Sequence, residues 1–249
     1  MKIVTVIPAY NVENTITQVV RATKKYCDEV IVVDDGSSDN TPKIIQKLGI
    51  KYALCPVNHG QGSATKIGIK MALRLGADVV ITLDSDEQHN PNEIPQVLKP
   101  ILDGMADMVI GARFLNWRSN KYTPKDLGFY SCYEEEYQDN CIKIPRYRKF
   151  GIDIINWLYN VCNGKKLIDT QSCFRAYTRW LIQSFSIEED GFGFSTEVLI
   201  KARKMKARMV EVPVSCIYHN LGQDSTMNPL MQGVGVAWKT LYWRLKLWA

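Results

Sequence analysis

The sequence lacks any uninterrupted apolar run near the roughly 18 residues that a membrane-spanning helix requires, so any membrane contact is expected to be peripheral. It also lacks a C-x-x-C pair and any zinc-ligand spacing, although seven cysteines are scattered along it. A zinc-stabilised fold is therefore excluded, and the thiols are expected to be reduced and mostly buried. No charged-then-apolar leader precedes the first strand-like segment, which predicts a cytoplasmic protein.

Two common nucleotide-binding signatures are missing. The glycine-rich segment at 58–63 has neither the G-x-G-x-x-G spacing of dinucleotide-binding folds nor the lysine of a P-loop. A strong charge of either sign is missing as well, because the net charge is only +5. That excess is too diffuse to indicate nucleic-acid binding, but it is compatible with anionic ligands or an anionic lipid surface.

What is present is a chain of 249 residues, 46% of them hydrophobic, which suits one large α/β domain. Its first half alternates β-branched runs with helical stretches, a pattern typical of a parallel sheet with crossover helices. Strands are predicted at 2–7, 29–33, 50–55, 77–83, 107–112 and 208–213. Helices are predicted at 12–26, 42–48, 62–75, 92–103, 150–162 and 194–205. Ligands of such sheets bind at the carboxyl ends of the strands, so the loops there are the candidate site.

The alternating pattern fails between about 113 and 150, and a long irregular insert of this kind indicates a functional lid or a mobile loop. The tail at 228–249 combines tryptophans with lysines and an arginine and contains no acidic residue. Two interpretations of this tail stay open: an amphipathic helix lying at a membrane surface, or a helix packed on its own domain. We therefore divide the chain into a domain at 1–227 and a tail at 228–249.

Two carboxylates, Asp84 and Asp86, directly follow the strand predicted at 77–83. Oxygen ligands at a strand end suit Mg²⁺ or Mn²⁺, which proteins often share with substrate phosphates, and Gln88 can add an amide oxygen. The other interpretation of this segment is an aspartate-rich turn before the helix predicted at 92–103.

A second strand end carries Asp34 and Asp35, whose carboxylates could accept hydrogen bonds from ribose hydroxyls or base N–H groups. Helix capping explains part of this loop but not two adjacent acids. The next loop, from Asn58 to Gly62, is rich in glycine and precedes a helix, so its backbone could approach a phosphate.

Taken together, these motifs resemble the family 2 inverting glycosyltransferases, which have the Rossmann-like GT-A fold. The N-terminal motifs that carry the resemblance are residues 7–11, residues 33–41, Asn58-x-Gly60-x-Gly62 and Asp84-x-Asp86-x-Gln88-His89. Later segments are similar to the polyprenyl-phosphate sugar synthases, the dolichyl-phosphate mannose synthase subgroup: residues 110–114, 148–149, 169–177, 194–197 and 211–214. Cys173 stands where this subgroup often has glycine.

The resemblance implies a mostly parallel central sheet with helices on both faces, holding a GDP- or UDP-linked hexose across its edge. The implied nucleotide-sugar ligands are Pro8, Tyr10, Asp35, Gly62 and Asp84. The implied ligands of Mg²⁺ or Mn²⁺ are Asp84, Asp86 and Gln88. The cation would neutralise charge that builds on the departing nucleoside diphosphate.

The acceptor implied by the subgroup is a polyprenyl phosphate, which arrives already anionic and needs cations rather than a general base. The acceptor-phosphate ligands implied by the resemblance are Arg113 and Arg148, with Arg146 in reserve. Asp169 and Glu197 would orient the sugar or the arginines. The implied catalytic set is therefore Asp86, Arg113, Arg148, Asp169 and Glu197. A lipid acceptor also implies peripheral binding at the cytoplasmic face of a membrane.

Two further functions stay open. One is transfer to a glycan or soluble hydroxyl, which needs a carboxylate base, with Asp190 or Glu197 as the candidates. The other is a non-catalytic nucleotide-sugar-binding or scaffold protein whose insert docks a partner.

Overall fold

The computed structural model of the protein describes residues 1–114, 146–161, 163, 166–216 and 229–248, without the side chains of 146–149, 229–232 and 248. The strands are β1 (Ile3–Ala9), β2 (Glu29–Asp34), β3 (Lys51–Leu54), β4 (Val79–Thr82), β5 (Met108–Ala112), β6 (Arg175–Thr178) and β7 (Met209–Pro213). The α-helices are α1 (Ile16–Thr23), α2 (Thr41–Lys47), α3 (Gln61–Arg74), α4 (Ile94–Leu102), α5 (Arg146–Asn160), α6 (Arg179–Gln183), α7 (Phe194–Lys204) and α8 (Pro229–Trp248).

These strands form one sheet in the order β3-β2-β1-β4-β6-β5-β7. Strand β6 runs antiparallel to its neighbours β4 and β5, whereas the other pairs are parallel. Because β6 is reversed, it starts at the edge where the parallel strands end. The segment that precedes Arg175 is therefore brought to the carboxyl edge of the sheet.

Alternation along the central strands divides the core into two layers, one on each face of the sheet. Val4 and Val6 of β1 pack in the layer that contains α3 and α7. Ile7, one residue later, packs in the opposite layer with α1 and α4. Burial of each such branched side chain stabilises the fold by about 1.5–3 kcal/mol, and helices on both faces leave ligands access at the strand ends.

The six predicted strands and the helices around them are confirmed, with end positions shifted by at most four residues. Strand β6 and the short helix α6 after it were not predicted. The reason is visible in β6, whose first residue is an arginine with no exposed surface, so the strand shows no apolar run. Helix α5 begins at Arg146, four residues earlier than predicted and inside the insert predicted at 113–150. Most of that insert lies outside the described residues.

Among the described helices, none combines the length and the apolar character needed to cross a bilayer.

Candidate functional site

Polar side chains from several elements meet at the carboxyl edge of the sheet. Asp35 directly follows β2, Arg113 directly follows β5, and Asp84 lies two residues after the end of β4. The reversed strand β6 brings residues 169–174 to this edge, and α3 begins there with Gln61 after β3. The carboxyl edge, predicted as the site, therefore gathers acidic, basic and amide groups from distant parts of the sequence.

The loop after β4 is held in one defined conformation. Oδ1 of Asp86 accepts a hydrogen bond from the backbone N–H of Gln88 at 3.0 Å. Between them, Glu87 has a φ of +61°, in the left-handed region that is costly for a residue with a side chain. The hydroxyl of Thr15 donates to the carbonyl of Ser85 at 2.7 Å, which ties the loop to the start of α1. Local backbone strain thus lies between two of the implied metal ligands.

The pKa of Asp84 reflects the burial of its carboxyl group and the nearby negative charge of Asp86. Burial, followed by repulsion from the Asp86 carboxylate, raises the pKa of Asp84 to about 7. The positive charge of Arg113 and a 2.7 Å hydrogen bond from Nε2 of Gln61 to Oδ1 of Asp84 oppose this shift. A divalent cation would relieve the repulsion, and carboxylate oxygens are the ligands that Mg²⁺ and Mn²⁺ prefer. The oxygen ligands that Asp84, Asp86 and Gln88 can offer therefore fit such an ion.

No group of three or more His, Cys, Asp or Glu side chains that could hold a metal ion occurs among the residues that the structure describes.

His89 is a buried neutral group beside this corner. Burial first, and the positive charge of Arg113 second, lower the pKa of His89 to about 3. Its ring packs against that of Phe174, with 5.5 Å between the ring centroids, and its Nε2 lies 3.9 Å from Oδ2 of Asp84. Because the imidazole is uncharged near neutral pH, this contact is not a salt bridge.

Pro8, Tyr10 and Asp35 lie together at the same edge. The carboxylate of Asp35 is buried, and it accepts hydrogen bonds from the backbone N–H groups of His59 at 3.0 Å and Gly60 at 2.7 Å. Asp35 therefore shapes the loop before α3, and its implied contact with a ribose stays a prediction. Pro8 is tolerated in a central strand because the pairing of β1 with β4 ends before it.

Gly62 has a packing role that its sequence context did not reveal. A Cβ at this position would lie 2.5 Å from the carbonyl oxygen of Glu189 and 2.8 Å from those of Asp190 and Gly191. At Gly60, where φ is +101°, a Cβ would lie 2.7 Å from the Asp190 carbonyl oxygen. Both glycines are thus required for close approach of the 189–191 backbone to the start of α3, whether or not a phosphate binds nearby.

Arg113 and Asp169 form a buried ion pair at the end of β5. The guanidinium donates from Nε to Oδ2 at 2.8 Å and from Nη2 to Oδ1 at 2.9 Å, and the backbone N–H of Arg113 adds a third bond. Burial alone would raise the pKa of Asp169, but the charge and hydrogen bonds of Arg113 hold that pKa below its ordinary value. Asp169 therefore orients this arginine, one of the two roles implied for it.

Arg146 and Arg148 belong to the first turn of α5 by their backbone. Their side chains lie outside the described residues, so their implied contact with the acceptor phosphate stays a prediction.

Glu197 lies in the first turn of α7, under the 188–190 loop. Its carboxylate is fully buried and accepts the backbone N–H groups of Glu188 at 2.7 Å and Glu189 at 2.8 Å. It also pairs with Nζ of Lys201 at 2.6 Å. Asp190, the other candidate base, pairs with Lys66 at 2.6 Å. Both carboxylates are therefore engaged within the chain.

The tail forms helix α8, and one side of it is packed on the domain. Trp243 is 1% exposed, and its Nε1 donates to Oε1 of Glu189 at 2.9 Å. The ammonium groups of Lys201 and Lys246 each lie 4.4 Å from a ring centroid of Trp243. Trp238, by contrast, is 66% exposed. The packed-helix interpretation therefore describes one side of α8, and the membrane-surface interpretation of its open side stays a prediction.

Two residues of this edge were absent from the predicted site. Gln61 occupies an unspecified position of the Asn58-x-Gly60-x-Gly62 motif, although its side-chain amide donates a hydrogen bond to Asp84. Cys173 was noted only as a departure from the subgroup, yet its Sγ lies 3.4 Å from Nε2 of Gln61. The one sequence signal that could have indicated Gln61 is its polar side chain between two glycines.

Comparison with known proteins agrees with this arrangement. A model of glycosyl transferase family 2 matches residues 4–161. A UDP-N-acetylglucosamine–dolichyl-phosphate N-acetylglucosaminyltransferase from Methanococcus voltae is 31% identical over 236 residues, which cover 86% of this chain and 84% of that protein. An undecaprenyl-phosphate mannosyltransferase from Micrococcus luteus is 26% identical over 276 residues, covering 99% of this chain and all of that protein.

Solved structures show the same fold. Glucosyl-3-phosphoglycerate synthase from Mycobacterium tuberculosis, in complex with Mn²⁺, UDP-glucose and phosphoglyceric acid, matches with a TM-score of 0.68 and 18% identity. The match covers 97% of this chain and 79% of that chain. The predicted GT-A fold is therefore confirmed.

Replacing Asp169 by Asn should destabilise the protein by about 3 kcal/mol or more at pH 7, because Arg113 would be left buried without its counter-charge. Because folding lowers the pKa of Asp169, the pair contributes fully above the ordinary value of 3.8 and less as the pH falls through the folded value. The difference in free energy of unfolding between wild type and variant should therefore become smaller below about pH 4. Urea unfolding of both proteins at several pH values measures this difference.

The matched control is Asp103→Asn, which removes an exposed partner of Lys99 and should cost less than about 0.5 kcal/mol. If both variants lose the same small amount of unfolding free energy at pH 7, the Arg113–Asp169 pair does not have the structural importance given to it here.

Proposed function

The chain belongs to glycosyl transferase family 2, and from this membership we propose that it transfers a hexose, with inversion, from a nucleoside-diphosphate sugar to a polyprenyl phosphate. The observation that carries the proposal is the naming of two relatives, aligned over 86% and 99% of the chain, for transfer to dolichyl phosphate and undecaprenyl phosphate. The family membership identifies the chain as a glycosyltransferase, so the non-catalytic scaffold is set aside.

In this proposal the donor lies across the carboxyl edge, with its base and ribose near Tyr10 and Asp35. Asp84, Asp86 and Gln88 would hold Mg²⁺ or Mn²⁺ together with the diphosphate. When bound, the cation supplies Lewis-acid stabilisation of the charge on the leaving nucleoside diphosphate. The raised pKa of Asp84 supports this assignment, because burial and then repulsion from Asp86 disfavour its ionised form, and a bound cation would offset both.

The acceptor site is proposed at Arg113, close to the donor corner. A phosphate oxygen attacks the sugar without losing a proton, so the site needs positive charge rather than a base. Asp169 fixes the Arg113 guanidinium through two hydrogen bonds. The positive charge of this oriented guanidinium is what would attract the acceptor phosphate. Arg148, with Arg146 in reserve, is proposed to complete the site.

Transfer to a hydroxyl acceptor is the second candidate. It is favoured by the fold match to glucosyl-3-phosphoglycerate synthase, whose crystals hold phosphoglyceric acid. It would need a carboxylate base, but Glu197 is buried against Lys201 and Asp190 is paired with Lys66. These pairings support the polyprenyl phosphate as the acceptor.

A membrane surface is the proposed location of the lipid acceptor. Helices α5 and α8 pack against each other through Arg244, whose guanidinium donates to the carbonyls of Leu158 and Val161. Each helix leaves apolar side chains exposed at helical spacing: Phe150, Ile154 and Trp157 on α5, and Val234, Trp238, Leu241 and Leu245 on α8. Such stripes, with lysines nearby, suit an anionic bilayer surface.

We place that surface at the cytoplasmic face. This placement is supported by Cys27, Cys55 and Cys173, which are free thiols of the kind that a reducing compartment maintains.

Product analysis tests the proposed reaction most simply. The protein is incubated with Mn²⁺, a polyprenyl phosphate and a panel of GDP- and UDP-linked sugars labelled in the hexose. One labelled sugar should enter the organic phase, and only when the lipid phosphate is present. Label transferred to phosphoglyceric acid or a soluble glycan instead would support the hydroxyl-acceptor function.

Replacing Asp86 by Ala should lower transfer by about a hundredfold or more, because a ligand of the ion that stabilises the leaving group is lost. The melting temperature should change by less than about 2 °C, since Asp86 lies in a loop and not in the core. Initial rates at saturating Mn²⁺ measure the effect, with Asp103→Ala as an exposed control. Full activity of the wild type in EDTA would contradict the metal role.

Replacing Leu245 by Glu should weaken binding to anionic vesicles by about tenfold or more, because it removes apolar contact and adds a repelled charge. Leu245 is 63% exposed, so the fold should tolerate the change. The matched control is Leu102→Glu on α4, where the leucine is 52% exposed. If both variants co-sediment with vesicles as the wild type does, α8 is not the membrane-binding helix.

A further inference from the structure

Gln61 is the first residue of α3, and its side-chain amide points at the donor corner. Nε2 donates to Oδ1 of Asp84 at 2.7 Å and approaches Sγ of Cys173 at 3.4 Å. The bond to Asp84 joins residues 23 positions apart in the sequence. It therefore connects the start of a helix to the end of a neighbouring strand.

The other surroundings of Asp84 do little to fix its orientation. Oδ2 faces Nε2 of His89 at 3.9 Å, beyond hydrogen-bond distance. Among the described residues, Gln61 is the hydrogen-bond donor to the Asp84 carboxylate. The rotation of this carboxylate about its last bond is thus controlled by one neutral amide.

The backbone that carries Gln61 is itself firmly held. Gly60 and Gly62 on either side pack against the carbonyl oxygens of the 189–191 loop. The N–H of Ser63 donates to the Asp190 carbonyl at 2.9 Å, which satisfies one of the free donors of the first helical turn. A side chain on such a backbone holds its partner within a narrow range of positions.

We propose that Gln61 is a positioning residue for metal binding: it holds Asp84 in the orientation that accepts the divalent cation. The inference rests on the proposed metal role of Asp84 and Asp86, and it assigns Gln61 no contact with the substrate. Residues that orient a metal-binding carboxylate in this way commonly change metal affinity by about 10- to 100-fold when they are replaced.

Gln61→Met tests this directly, because methionine keeps the length of the side chain but cannot donate a hydrogen bond. Mn²⁺ is titrated into the full chain at saturating UDP or GDP, and bound Mn²⁺ is followed by its electron paramagnetic resonance spectrum. The dissociation constant of Mn²⁺ should rise about tenfold or more. The melting temperature and the KM for polyprenyl phosphate should stay as in the wild type. Gln61→Asn, whose side chain is too short to reach Asp84, should lose Mn²⁺ affinity to the same extent.

Two control variants isolate the bond to Asp84. Cys173→Ala removes the sulfur contact but leaves the hydrogen bond from Gln61, and Gln46→Met makes the same substitution at an exposed position of α2. Both should bind Mn²⁺ within twofold of the wild type. If Cys173→Ala loses as much affinity as Gln61→Met, the proposal is overturned, because Gln61 would then act through packing.

Asp86→Ala separates failure of this inference from failure of the proposed function. If Asp86→Ala loses Mn²⁺ while Gln61→Met and Gln61→Asn bind it normally, the positioning role is wrong and the metal site stands. If Asp86→Ala binds Mn²⁺ as tightly as the wild type, the metal site is wrong and the positioning role fails with it.

Discussion

Repulsion between the carboxylates of Asp84 and Asp86 is the constraint on which the candidate site depends. Two acidic groups at the end of a buried strand are unfavourable unless a cation, a proton or hydrogen bonds offset their charge. Here burial and Asp86 raise the pKa of Asp84 to about 7, so a protonated Asp84 is one way the corner lowers its charge. A divalent ion shared with a diphosphate is the other, and that is the state in which the proposed reaction would run.

The topology of the sheet supplies the positive charge that this corner needs. Strand β5 ends at Arg113, and the reversed β6 brings Asp169 to the same edge, where it fixes the guanidinium. A paired arginine keeps its charge while its direction is set, which suits attraction of a phosphate more than abstraction of a proton. The glycosyltransferase family, the GT-A fold and the two polyprenyl-phosphate relatives are consistent with a site organised in this way.

Much of this arrangement could be predicted from sequence, because strands buried on both faces have apolar runs and the motifs follow them directly. Asp84 and Asp86 lie just after the buried strand β4 for that reason, as predicted. Strand β6 could not be predicted, since its buried Arg175 depends on tertiary contacts: Nη1 donates to the carbonyl of Ser195 and Nη2 to that of Thr170. The packing role of Gly62 and the buried position of Glu197 escaped prediction likewise, because both depend on where the loop at 188–191 folds back.

We propose that the Asp84–Asp86 corner binds a divalent cation together with the diphosphate of a sugar donor. A crystal structure with Mn²⁺ and the preferred nucleotide sugar, using anomalous scattering at the manganese edge, tests it most directly. We expect an anomalous peak within about 2.3 Å of a carboxylate oxygen of Asp86 and of an oxygen of each phosphate. A bound donor with no peak at this corner, and with Asp86 still accepting the N–H of Gln88 as a simple turn, would contradict it.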